Sequence, residues 1–154
     1  MLFRSGEENE FVNTYEAEGS VTLTGVKILE GRELEDGQFS FTLSDADGEI
    51  ETVTNTADGS VVFSALTFDQ DDLLVDGEYV KSREFTYTMT EVQDSADGYT
   101  YATKTYVITV TVVDNGDGTL TVTAEPNGEE NEFVNTYEAE GSVTLTGRSE
   151  EHSV

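Results

Sequence analysis

The sequence predicts an all-β domain, an antiparallel β-sandwich of immunoglobulin-like type with seven to nine strands. Three observations lead there. Apolar and polar residues alternate with period two in segment after segment, as at Phe39, Phe41 and Leu43 and again at Tyr106, Ile108, Val110 and Val112. Turn-forming clusters of Asp and Gly punctuate these segments at 45–48, 57–59, 96–98 and 114–118. The composition is rich in Thr, Val, Tyr and Phe, with one proline and no tryptophan, which favours strands over helices.

Taken in order, the first strand runs from Gly19 to Leu29, with Val21, Leu23, Lys27 and Leu29 on one parity. A polar loop, 32–37, precedes the strand of Phe39, Phe41 and Leu43, which Asp45-Ala46-Asp47-Gly48 closes as a turn. Segments 50–56 and 60–66 are expected to form a hairpin across Ala57-Asp58-Gly59. The run 68–75 breaks the alternation and predicts a helical turn, with Asp69, Asp71 and Asp72 at its positive end. Segment 84–92 alternates strictly, with Phe85, Tyr87 and Met89 on one face and threonines on the other. The strand of Tyr106 to Val112 turns back through Asp114-Asn115-Gly116-Asp117-Gly118 into Leu120, Val122 and Ala124, and Pro126 ends that strand. Phe133 to Tyr137 is the last strand.

That last segment occurs twice. Gly6–Gly25 returns residue for residue at Gly128–Gly147, an offset of 122 residues from Gly6 to Gly128. Identity over so long a period implies a tandem array in which each unit is a whole domain. Residues 6–18 then belong to the end of a preceding unit, 19–138 form one β-sandwich repeat, and 139–147 begin the next. The flanks 1–5 and 148–154 break the repeat and have the character of cloning remnants. One unit of about 120 residues is long enough to bury a core.

Charge narrows the partners. Acidic residues number 33 against 7 basic, for a formal charge of −26 and a pI near 4.1. Nucleic acid and anionic membrane surfaces would be repelled. No apolar run reaches transmembrane length, so membrane insertion is not expected. There is no cysteine, although a surface domain of this size is often stapled by disulfides. A different staple is therefore worth seeking.

Strand parity supplies a candidate. Lys27 lies in phase with Val21, Leu23 and Leu29, Glu91 continues the face of Phe85, Tyr87 and Met89, and Asn135 falls between Phe133 and Tyr137. An amine, a carboxyl and a carboxamide are thus all expected to face the core. Each has a plainer reading: the lysine snorkels to the rim, the glutamate reaches solvent at a strand end, the asparagine satisfies buried backbone. Burial of ionised groups is costly, however, and desolvation drives both lysine and glutamate toward their neutral forms. A neutral amine is a nucleophile, and a protonated carboxyl can polarise the asparagine carbonyl and relay protons to departing ammonia. The product would be a Lys27–Asn135 isopeptide bond, made once per chain without a cofactor, with folding supplying the proximity.

The ordered motifs GSVTLTGVKILEGRELEDGQFSFTL, FTYTMTEV, TYVITVTVVDNGDGTLTV and FVNTY resemble the streptococcal pilin-type isopeptide-linkage repeats of Gram-positive surface proteins. The resemblance spans nearly all of 19–138. It implies a lysine of the first strand joined to an asparagine of the last, with a glutamate between them as catalyst. Lys27, Asn135 and Glu91 stand at the matching positions, whereas Lys81 and Lys104 fall in a loop and at a strand start. The resemblance further implies an extracellular, cell-surface or cell-wall-anchored stalk, pilus or adhesin whose partners are neighbouring repeats of the same polypeptide; it specifies no host ligand.

The repeat carries a corollary. Asn13 copies Asn135, but the lysine it would need lies in an absent preceding unit, and Ser149 stands where the next Lys27 would be, so Asn13 is expected to stay unreacted. Its strand is also a competitor for the groove of Asn135. The alternative function is a ligand-binding adhesin module without a cross-link. Calcium is the one cofactor to weigh, because Asp45-Ala46-Asp47-Gly48-Glu49 and 114–118 carry oxygen ligands, but neither matches a full calcium loop and both suit tight turns. No other metal or cofactor is expected. An enzyme acting on outside substrates is disfavoured: His152, the single histidine, lies in the terminal remnant, and no serine has a nucleophile-elbow context. A Thr–Gln ester through Gln38, Gln70 or Gln93 lacks an inward-facing pair.

Overall fold

The computed structural model describes residues 9–141, and its architecture is set by where the alternating segments find partners. The expected first strand divides in two, β1 (Glu18–Val21) and β2 (Thr24–Glu30), with the chain changing sheets at Thr22-Leu23. β3 (Ser40–Asp45) and β4 (Gly48–Thr54) form a hairpin across Ala46-Asp47, where the Asp47 amide donates to the Asp45 carboxylate. β5 (Ser60–Val62) and β6 (Leu66–Asp69) follow. A 3₁₀ turn, Gln70–Leu73, is capped by Asp69, whose carboxylate accepts from the Asp71 amide while Asp72 accepts from that of Asp69. The short ribbon β7 (Leu74–Val75) and β8 (Glu78–Tyr79) leads into β9 (Ser82–Glu91). β10 (Tyr99–Thr100), β11 (Thr105–Asp114), β12 (Leu120–Glu125), a 3₁₀ turn at Gly128–Glu130 and β13 (Glu132–Tyr137) complete the chain, with a cis peptide at Glu125-Pro126 closing β12.

Two sheets face each other: a four-stranded one ordered β10-β13-β2-β5 and a five-stranded one ordered β12-β11-β9-β3-β4. Their inner faces supply the core, including Val61 and Phe133 from the first and Phe41, Leu43, Met89, Ile108, Val110 and Val112 from the second, and Leu23 joins it from the crossing between β1 and β2. The all-β sandwich expected from sequence is the fold, and the two sheets hold nine strands, with further pairings at β1–β6 and β7–β8.

Two expectations need correction. The segments around Ala57-Asp58-Gly59 are not a hairpin: β4 pairs with β3, while β5 crosses to the other sheet and pairs with β2. Thr56 and Ser60 close the turn by a backbone bond of 3.0 Å, but Asn55 diverts the incoming chain, its buried carboxamide accepting from the Phe39 amide and donating to the Glu35 and Thr56 carbonyls. Nor is the sandwich wholly antiparallel. β13 runs parallel to β2, with Phe133 opposite Lys27 and Asn135 opposite Leu29. Because β2 and β13 point the same way, the chain enters the four-stranded sheet at one end and leaves it at the other. The packed unit also reaches beyond Gly19, since Ala17 is 1% exposed and belongs to the core.

Candidate functional site

Lys27, Glu91 and Asn135 converge between the sheets. β2 points Lys27 inward, and the register of the parallel pair puts Asn135 two residues past the lysine's partner, on the same inner face. Glu91 ends β9, opposite Phe41 of β3, and enters from the facing sheet. All three residues are 4% exposed or less. Lys27 Nζ lies 3.2 Å from both carboxylate oxygens of Glu91, and Asn135 Nδ2 donates to Glu91 Oε2 at 2.7 Å. The carboxyl therefore stands between the amine and the carboxamide nitrogen.

The asparagine oxygen is held separately. Asn135 Oδ1 accepts from the backbone amide of Ala102 at 2.6 Å. A backbone N–H can only donate, so this contact fixes which carboxamide atom is oxygen and which is nitrogen. Sequence reasoning expected Glu91 to polarise the carbonyl. In the structure Glu91 meets the nitrogen, and the Ala102 amide meets the oxygen, where negative charge would develop during attack. Gln93 steadies that segment: its Nε2 donates to the Ala102 carbonyl at 2.7 Å and to the Glu91 carbonyl at 3.3 Å.

Electrostatics follow from dry surroundings. Burial lowers the Lys27 amine to about 8, opposed by the charge and hydrogen bond of Glu91. Burial raises the Glu91 carboxyl, opposed by Lys27 and by the Asn135 hydrogen bond. Both shifts favour the neutral pair that attack of an amine on a carboxamide would require. Phe39 closes one side, its ring centroid 4.5 Å from Lys27 Nζ, and Phe133 packs between Phe41 and Tyr106, each 5.2 Å away between centroids. The backbone of Lys27 is pinned in turn. Its amide donates to the Gly59 carbonyl at 2.7 Å, and a Cβ on Gly59 would lie 2.5 Å from the Lys27 oxygen. Gly59 also has φ +92°, so glycine is required there on two grounds.

Ala102, Gln93, Phe39 and Gly59 were missed as parts of this site. A backbone donor has no side-chain signature, and Gln93 carried a signal only as a glutamine near Glu91. The three glutamines weighed for an ester are engaged in ordinary hydrogen bonds: Gln38 with the Tyr99 hydroxyl, Gln70 with the Ala17 amide and Gln93 as above. Asp45, Asp114 and Asp117 accept from nearby turn amides, and among the described residues no group of three or more acidic or histidine side chains gathers as a metal site. The earlier copy of the last strand, 11–15, pairs with no strand here, and Phe11 and Val12 are 91% and 75% exposed. Ser149 and His152 lie outside the described residues.

Comparison with known proteins adds an independent line. Residues 23–138 match the family model FctA, described as a Spy0128-like isopeptide-containing domain. Among solved structures, the C-terminal fragment of the pilus adhesin SpaC from Lactobacillus rhamnosus GG aligns at 20% identity and a TM-score of 0.44, covering 81% of this chain and 48% of that one. The chain thus spans about half the length of that fragment. No curated protein matches.

Proposed function

The chain belongs to the FctA family of Spy0128-like isopeptide-containing domains, and we propose that it is a structural repeat of a bacterial surface stalk, pilus or adhesin, stapled by a Lys27–Asn135 isopeptide bond that the domain makes for itself. The observation that carries this reading is the placement of Glu91 between Lys27 Nζ and Asn135 Nδ2 in a site closed to solvent. A closed site admits no outside substrate, so its chemistry is between its own side chains.

In the proposed reaction Glu91 accepts a proton from Lys27 Nζ, leaving a neutral amine and a neutral acid. Nζ attacks Asn135 Cγ, and the Ala102 amide stabilises the oxygen as the carbon becomes tetrahedral. A C–N bond forms to Nζ while the bond to Nδ2 breaks. Glu91 hands its proton to Nδ2, takes the second proton of Nζ, and passes that one to the departing ammonia, which leaves as ammonium while the carboxylate ends as it began. No oxidant or cofactor enters the balance. Each chain reacts once, so this is not enzyme turnover.

Position supports a mechanical role. Joining the first strand of the four-stranded sheet to the last carries a pulling force across β2 and β13 and leaves residues 28–134 unloaded. An extracellular, cell-surface location and contact with neighbouring repeats belong to the same proposal. Intact mass under denaturing conditions tests the chemistry. The expected value is the calculated mass less one ammonia, restored to the full calculated mass in Lys27→Ala. A full mass for the unaltered chain would overturn the proposal.

A further inference from the structure

One sequence, present twice, occupies two complementary environments. In the first copy the leading half is exposed at Phe11 and Val12 and the trailing half is docked: Ala17 is 1% exposed and Glu18–Val21 pairs with β6. In the second copy the leading half is buried, with Phe133 and Asn135 at 0%, while Ala139 is exposed. The glycines repeat the contrast. A Cβ on Gly19 would sit 2.5 Å from the Leu120 oxygen and 2.9 Å from its Cβ, whereas one on Gly141 would meet nothing within 4 Å.

The docked half has a defined seat. Tyr15 donates its hydroxyl proton to Asp114 at 2.7 Å and accepts from the Gly118 amide at 3.2 Å. The Ala17 amide donates to Gln70 Oε1 at 2.9 Å, and that of Glu18 to the Gly118 carbonyl at 3.4 Å. Tyr137, the counterpart of Tyr15, is meanwhile fixed on its own unit. Its ring lies 4.8 Å from Tyr99 and 4.1 Å from the Arg32 guanidinium, and the Glu138 amide donates to the Gly98 carbonyl at 2.8 Å.

We propose that Tyr137–Gly141 docks on the next copy of this unit as Tyr15–Gly19 docks on this one, making a fixed joint between consecutive repeats. β13 ends at Tyr137, and the counterpart of Glu18, where β1 begins, is Glu140. Only Glu138 and Ala139 lie between the two strands. Both ends of so short a connection are hydrogen-bonded, one to each unit, so neighbouring units hold a set angle. The tyrosine serves both sides, with its ring on the unit it ends and its hydroxyl on the unit that follows. The joint rests on the tandem-array reading of the proposed function and does not depend on the cross-link.

The test compares the 154-residue chain with a chain in which residues 20–141 occur twice in succession, by amide hydrogen exchange. In the single-unit chain the Ala139 and Glu140 amides exchange freely while those of Ala17 and Glu18 are protected. In the two-unit chain the joint slows Ala139 and Glu140 by at least about tenfold. Gly141→Val leaves the single-unit chain unchanged and, at the junction of the two-unit chain, abolishes that protection by striking Leu120 of the second unit. Unchanged exchange at Ala139 in a folded two-unit chain would overturn the joint. Intact mass on the same samples reads the cross-links separately, so failure of one proposal is distinguished from failure of the other.

Discussion

At the scale of single residues, the proposed chemistry rests on burial, which makes two ionisable groups prefer neutrality, and on a carboxyl held between the Lys27 amine and the Asn135 carboxamide nitrogen. Glu91→Gln keeps the shape but removes the proton carrier, so the chain is expected to retain its full calculated mass. Beyond the stability lost with the cross-link itself, it leaves the lysine buried without a counter-charge, a further loss of about 3–5 kcal/mol relative to an unlinked chain with the pair intact, read in thermal or denaturant unfolding. Gln93→Ala frees the Ala102 segment, and loss of about 1 kcal/mol of positioning slows bond formation about fivefold, measured as the mass change with time after cell-free synthesis. The unlinked variant Asn135→Ala exposes the titration of the pair. Lys27 titrates near 8 in the fold against 10.5 when unfolded, so between those values the unfolded chain holds the extra proton. Stability is therefore expected to rise with pH across that window. Glu91 has the opposite sign: its raised carboxyl holds a proton that the unfolded chain has lost, so stability falls as pH climbs above 4.5 through the raised value. Melting temperatures across the pH range check both slopes.

At the scale of elements, much was legible because strand parity is a local signal. Phe39, Phe41, Leu43, Met89, Ile108, Val110 and Val112 face inward as their alternation requires, and Lys27, Glu91 and Asn135 sit on the same faces. Partner choice was not legible, because period two states which face is buried and not which strand lies alongside or in which direction. Hence alternation around Gly59 suggests a hairpin although the chain crosses to β2, and it holds no sign of the parallel β2–β13 pair. That crossing bears on the site. Gly59→Ala would put a Cβ against the Lys27 carbonyl at positive φ, and the expected outcome is a loss of about 1–3 kcal/mol with β2 displaced and cross-linking slowed. The test is unfolding of the variant alongside its mass. The Ala102 donor escaped for a related reason, since β10 and the loop after it are too short to carry a pattern.

At the scale of the whole molecule, the repeat offset and the parallel β2–β13 pair are what the proposed array, stapled and resistant to pulling, would need. A cross-link closing a loop of roughly 100 residues is expected to stabilise the fold by about 4–5 kcal/mol through the unfolded state. Lys27→Ala and Asn135→Ala should lose that increment, together with protease resistance. Under force, a stapled unit should yield none of the extension stored in residues 28–134. The measurement that bears most directly on the central claim is fragmentation mass spectrometry of a digest of the unaltered chain. The account predicts one branched peptide joining Lys27 to Asn135, lighter than its two parts by one ammonia, with Asn13 recovered unlinked. Recovery of Lys27 and Asn135 only in separate, unmodified peptides would contradict it.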